Sequence, residues 1–276
     1  IIKKKKLFLI ILLIFTNTFS QEDTNKKTLP PISTDRPDNS DSPYTISKNT
    51  FQFETGVNYV SENPLGLSIK TLTINTGLFR YGFLDNLELR IGYDFIDEKK
   101  NYSYSSTNDY KTFKISESSS GLNPLLLGFK FLIQNESKGN PGIGFVSNLY
   151  LPFSASKDLK PKNTGADFKF ALSHSLNKTH NISYNIGVQW GNTEYFLDYI
   201  YSLVYGISIK DRLGLFFEVY GYIPEKSNSN NYWDSGITYL INNNSQIDMS
   251  IGSGIESDQL IYLNFGFSQR FGIKKL

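Results

Sequence analysis

The sequence contains no cysteine, which excludes disulfides, thiolate zinc sites, a cysteine nucleophile and a lipid anchor on cysteine. One methionine and two histidines, His174 and His180, leave little material for a transition-metal site. Charged residues are only 20% of the chain, low for a soluble enzyme. Long apolar runs are also missing. Leu7 to Phe15 would cover roughly 14 Å as a helix, about half the hydrocarbon thickness of a bilayer. No other apolar run approaches the length of a helical membrane span, so none is expected.

The short run has informative flanks. Lys3, Lys4, Lys5 and Lys6 precede it, and Thr16-Asn17-Thr18-Phe19-Ser20 follows, with small residues at −3 and −1 of a cut after Ser20. Residues 1–20 are therefore expected to be a secretory signal. Removing four lysines from 28 basic residues leaves 24 against 26 acidic ones, a net charge of −2. No basic patch remains to argue for nucleic acid.

What is abundant is aromatic and small: 21 Phe, 18 Tyr and 21 Gly. Residues 21–49 are polar and hold Pro30, Pro31, Pro37 and Pro43, which reads as an extended arm in the periplasm or the barrel lumen. From Thr50 onward the chain alternates with a period of two. Ile182, Tyr184, Ile186, Val188 and Trp190 share one face, while Ser183, Asn185, Gly187 and Gln189 share the other. Strands are expected over 51–62, 68–81, 87–96, 125–133, 142–153, 166–176, 182–190, 197–208, 213–222, 232–241, 246–255 and 260–271, with residues 272–276 as a tail.

Alternation alone does not say which face points inward. Twelve strands about 4.8 Å apart and tilted by about 40° close at a diameter of roughly 24 Å. Apolar side chains cannot fill that width, and an apolar void forfeits its packing contacts. The polar face, rich in Gly, Ser and Asn, suits a wet lumen, and the bulky face suits lipid. Links after even-numbered strands are short, such as 177–181 and 209–212, while those after odd-numbered strands include the long 97–124 and 154–165. The expectation is an all-β, closed antiparallel transmembrane barrel of about 12 strands over 50–271, in the outer membrane of a Gram-negative cell with both termini periplasmic. Phe51, Tyr59, Phe95, Trp190, Tyr199, Tyr201 and Trp233 are candidate girdle aromatics. Phe271 ends the last strand like the terminal aromatic read by barrel-assembly machinery. Lipid, small solutes and that machinery are the expected partners; oligomeric state is left open.

A hydrolase on such a barrel needs a nucleophile, a base and an orienting group on one rim. His174 falls on the apolar face, its neighbour Ser175 points the other way, and His180 sits in a short turn. No catalytic, cofactor or metal site is expected. The chemistry lies in the inward-facing charges: by parity Glu54, Glu88, Arg90, Asp94, Lys130, Asp167, Lys169, Asp198, Glu218, Asp234, Asp248 and Arg270. Eight acids and four bases suit either a mildly cation-favouring pore or a salt-bridged network closing the lumen. Asp35, Arg36 and Asp38 of the arm are candidate plug residues if the arm folds back, with Arg36 pairing to a wall acid such as Glu54 or Asp94. The alternative is a plain tether into the first strand.

Several segments resemble the outer-membrane transporter family named for the MetA pathway of phenol degradation. Ser33-Thr34-Asp35-Arg36-Pro37-Asp38, then Asp41-Ser42-Pro43 and Phe51-Gln52-Phe53-Glu54-Thr55-Gly56, resemble its opening block. Leu78 to Gly82 leading into Asn86 to Arg90, Leu127 to Lys130, Asn148 to Pro152 and Gln246 to Gly252 resemble later strands and turns. Phe153-Ser154-Ala155 stands where the family commonly has a Thr-Gly pair. The resemblance covers most of 33–271 and implies an outer-membrane barrel that transports aromatic or other small compounds. On this reading the chain is a passive channel. The alternative is a non-conducting adhesion or envelope barrel presenting Tyr102, Tyr104 and Tyr110 on its longest loop.

Overall fold

The computed structural model describes residues 30–105, 112–191 and 194–272. The expected signal at 1–20, arm residues 21–29, Tyr110, tail residues 273–276 and the side chains of Tyr102 and Tyr104 lie outside that description. The alternation from Thr50 produces thirteen strands among the described residues: β1 (Thr50–Glu62), β2 (Ser68–Leu84), β3 (Leu87–Ser105), β4 (Thr112–Leu122), β5 (Leu125–Gln134), β6 (Gly142–Leu151), β7 (Gly165–Ser175), β8 (His180–Gly191), β9 (Glu194–Lys210), β10 (Leu213–Pro224), β11 (Asn230–Asn242), β12 (Ser245–Glu256) and β13 (Gln259–Gly272).

Twelve of these strands form a closed antiparallel ring. Each pairs with its neighbour in sequence, except that β3 pairs with β5 through Leu87↔Phe131 to Gly92↔Leu126. β1 and β13 close the circle from Thr50↔Gly272 to Val60↔Tyr262. Closure leaves no edge in the ring, so its backbone donors and acceptors are met within the sheet, as hydrocarbon requires. The face assignment follows the chemistry. Ile186 is 60% exposed and Leu89 43%, while their neighbours Asn185 and Arg90 are 2% and 5% exposed. Polar residues line the inside and apolar residues cover the outside, the reverse of a soluble barrel. Among the girdle candidates, Tyr199, Phe95 and Trp190 are exposed on that outer face.

Two strands depart from expectation. β3 runs to Ser105 and not to residue 96, and its upper part, Phe95 to Ser105, pairs with the additional strand β4. The stretch 97–124, read as a loop, is thus mostly a hairpin. Asp97-Glu98-Lys99-Lys100 breaks the apolar alternation, yet these residues stay in the sheet, paired with Leu72 to Ile69 of β2 on one side and with β4 on the other. β2 contains a register shift between Ile74 and Gly77, with Asn75 at φ 58°. Asn tolerates this left-handed conformation, and its side chain bridges the site by accepting from Thr55 Oγ1 at 2.7 Å and donating to Tyr93 Oη at 2.7 Å. One extra residue exchanges the strand's two faces. Before the shift Thr73 is buried and Ile74 exposed; after it, Arg80 and Gly82 face inward.

Candidate functional site

The inward positions of β1, β2, β3, β5 and β7 place Glu54, Arg80, Glu88, Arg90, Lys130 and Lys169 on one side of the lumen. Arg80 lies at the centre of this set. Its Nη1 donates to Glu54 Oε1 at 2.7 Å, and its Nε and Nη2 donate to Glu88 at 2.8 and 2.9 Å. None of these three side chains has solvent exposure. Such charge-assisted, forked contacts are among the stronger hydrogen bonds in proteins.

The arm enters this lumen and returns to the rim it came from. Ile32 N donates to Asn243 O in the β11–β12 turn at 2.8 Å, and Asn49 N donates to Gly82 O near the end of β2 at 2.8 Å. Both contacts lie toward the rim of short turns. Between them, residues 35–41 reach mid-lumen. Lys130 Nζ donates to both carboxylate oxygens of Asp35, at 2.6 and 2.8 Å. Arg90 Nη1 lies 3.1 Å from Asp35 and 3.0 Å from Asp41, and Lys169 pairs with Asp41. Asn185 holds the Asp41 backbone at both ends, accepting from its N at 2.7 Å and donating to its O at 3.0 Å. Burial disfavours charge on Asp35 and Asp41, but Arg80, Lys130 and Arg90 beside the first, and Lys169 and Arg90 beside the second, outweigh it. Both carboxyls are held below the ordinary carboxylate range.

Arg80 and Arg90 reach the wall acids Glu54 and Glu88, but among the described residues Lys130 and Lys169 form ion pairs only with the arm's Asp35 and Asp41. The opposite wall is acidic, with Glu218 on β10, Asp234 on β11 and Asp248 on β12. Arg36 of the arm points there, donating to Asn264 Oδ1 at 2.6 Å and Thr76 Oγ1 at 3.0 Å, and lying 3.4 Å from Asp248. It pairs with neither Glu54 nor Asp94, the partners expected for it. Gly56 and Gly266 explain the difference: the guanidinium lies directly over both, where any Cβ would collide with it. Glu218 receives the arm tip, accepting from Asn39 N at 2.7 Å and Ser40 Oγ at 2.6 Å. Asp38 has no ion-pair partner among the described residues, and burial followed by Glu218 raises its carboxyl well above the ordinary range.

The remaining expected lumen residues do other work. Asp94 sits where β3 changes partner from β5 to β4, its Oδ2 accepting from Asn123 Nδ2 at 3.2 Å. Arg270 clamps the β11–β12 turn through Asn244 Oδ1 at 2.9 Å and Asn243 O at 3.0 Å. Asp167 accepts from Tyr150 Oη at 2.7 Å, and Asp198 from Gln189 Nε2 at 3.2 Å. Sequence parity missed Arg80 because the β2 shift moves it to the inner face. It also missed Asp41, which stands in the same acidic stretch of the arm as Asp35 and Asp38. His180 donates to or accepts from Tyr205 Oη at 2.7 Å, and His174 stacks on Tyr184.

A model of the family described as "Putative MetA-pathway of phenol degradation" matches residues 34–271. No curated protein matches the sequence. Among solved structures, an outer membrane channel from Pseudomonas putida F1 aligns with a TM-score of 0.65 at 11% identity, covering 86% of this chain and 100% of that one. The translocator domain of the autotransporter NalP from Neisseria meningitidis aligns with a TM-score of 0.53 at 8% identity, covering 82% and 90%. The Pseudomonas putida toluene transporter TodX aligns at 0.48 and 12% identity, covering 82% and 90%. The first two of these show that this chain has the fold of outer-membrane barrels.

Proposed function

The chain belongs to the phenol-degradation MetA-pathway family, and from that premise we propose that it is an outer-membrane channel for small solutes whose own N-terminal arm stoppers the lumen. Flux follows the solute gradient, with no covalent step and no cofactor. The family's description supports including small aromatic compounds among the solutes. On this reading the rim of short turns, where the arm enters and leaves, faces the periplasm, and the assembly machinery reads the strand that ends at Phe271.

One observation carries the proposal: among the described residues, the ion pairs of the buried wall cations Lys130 and Lys169 are made only to the arm's Asp35 and Asp41. A plain tether needs no buried ion pairs. With the arm withdrawn, a basic wall would face an acidic one across water, a lining suited to small dipolar solutes.

The test is deletion of residues 30–42, with conductance in planar bilayers and liposome swelling with sugars, amino acids and phenol. The proposal expects higher conductance and faster swelling in the deleted form. Equal conductance in both forms, with no swelling, would favour the adhesion or envelope role instead.

A further inference from the structure

Between the tip of the arm and the rim of long loops the lumen keeps a cavity of about 190 Å³. At about 30 Å³ per liquid water it holds on the order of six waters, the bulk of one small substituted ring. Asn39 forms the side toward the arm, and Tyr220, Tyr222, Gln189, Asp167 and Lys169 stand around it. Two tyrosine hydroxyls line it without a protein partner. Tyr220 is 7% exposed, and neither its hydroxyl nor that of Tyr222 has a hydrogen-bond partner among the described residues. Neither hydroxyl is among the enclosed polar atoms that lack a partner, so both open onto the cavity, where an occupant meets them. Both rings are held in place by Tyr232, stacked on Tyr220 at 5.1 Å and edge-on to Tyr222 at 6.2 Å. Their hydroxyls are therefore fixed and unmet.

The charged groups around the cavity are already committed. Asp167 accepts from Tyr150 Oη and from Asn148 Nδ2, and Lys169 is paired with Asp41. Gln189 spends its amide N–H on Asp198, which leaves its oxygen free to accept. An ionic ligand would find no free counter-charge here. A bare hydrocarbon ring would leave the phenols and the amide oxygen unpaired.

We infer that this cavity is a recognition site for a single neutral polyhydroxylated ring, such as a monosaccharide or cyclic polyol. Ring hydroxyls pair with Tyr220, Tyr222 and Gln189 Oε1, and the C–H face packs against a tyrosine ring. The inference deepens the channel reading and rests on it for its meaning: the site lies on the solute path at the face of the stopper. Asn39 borders the cavity and its backbone N is held by Glu218 at 2.7 Å, so an occupant touches the arm tip directly.

The test is a calorimetric titration of the full chain in detergent micelles with D-glucose, myo-inositol and phenol. Expected is saturable, millimolar binding of at least one polyol and none of phenol. Tyr222→Phe and Tyr220→Phe should each weaken polyol binding about five-fold. Tyr239→Phe, on the outer face, should leave it unchanged. Heat-dependent gel mobility verifies that each variant is folded. Absence of saturable polyol binding, polyol binding indifferent to both phenol-to-phenyl changes, or tighter binding of phenol would overturn the inference. The titration requires no flux, so the two readings fail separately. Binding by a chain that stays non-conducting after arm deletion removes the channel and keeps the site; conduction without binding does the reverse.

Discussion

Asp41 shows how a single side chain can hold the arm. It meets Arg90 at 3.0 Å and also pairs with Lys169, and removing it leaves two buried cations short of a partner. Breaking a buried pair from one side costs about 3 kcal/mol, roughly a hundredfold in an equilibrium. Asp41→Asn should therefore raise the fraction of time the lumen conducts by about that factor, read from single-channel records. Asp38 works in the opposite sense. Its carboxyl faces Glu218 with Asp234 behind it, and the one nearby arm cation, Arg36, is committed to Asp248, Asn264 and Thr76. A docked pKa raised above the ordinary 3.8 means that docking is strongest while Asp38 is protonated and weakens as pH rises above that value. Asp35 and Asp41 have depressed values, so their contribution is present above the ordinary carboxylate range and fades only in strong acid. Open probability should thus climb as pH rises above the ordinary carboxylate range, and Asp38→Asn should flatten the climb. An identical climb in the variant would assign it to another group.

At the scale of elements, the strands were readable wherever one face meets lipid and the other water. β8 and β12 match their alternating segments to within two residues, because a one-residue slip would turn every side chain to the wrong medium. Two features escaped that logic. The β3–β4 hairpin opens with the charged run Asp97 to Lys100, which breaks the apolar alternation, and only the short alternating stretch Thr112 to Ile115 hints at its second strand. The β2 shift lies inside a strand that alternates on both sides of Asn75, and parity counted straight through it puts Arg80 on the wrong face. The arm was readable as an extended, proline-bearing segment with charges, but its path was not. That path depends on glycines of two other strands, Gly56 and Gly266, which make room for Arg36. Gly266→Ala should displace the guanidinium from Asn264 and Thr76 at about 1 kcal/mol per lost hydrogen bond. The long side chain yields more easily than the sheet, so the barrel's urea midpoint should change little while limited proteolysis cuts the arm faster. Loss of barrel stability with an unchanged arm would place the strain in β13 instead.

For the whole molecule, width is the deciding quantity. A ring of twelve strands is too wide for side chains alone to fill, and this one is filled by charged residues and a returning segment of its own chain. The inward charges were readable as a set from parity. Their division into a basic and an acidic wall was not, because it depends on which strands become neighbours once the ring closes. Salt bridges of this kind carry little net stability over a well-packed apolar alternative. On the proposed channel reading, their value lies in holding a segment whose release would leave the sheet closed.

The absence of cysteine makes the arm's position directly testable. Ser40 Oγ on the arm and Ser202 Oγ on β9 are 2.5 Å apart, close enough for a disulfide to span the same two positions. In a Ser40→Cys/Ser202→Cys chain, single-channel conductance should stay at its closed level under oxidation and rise when reductant is added. Conductance that is the same oxidised and reduced, with the disulfide verified by mass, would contradict the account of the arm as the stopper of this barrel.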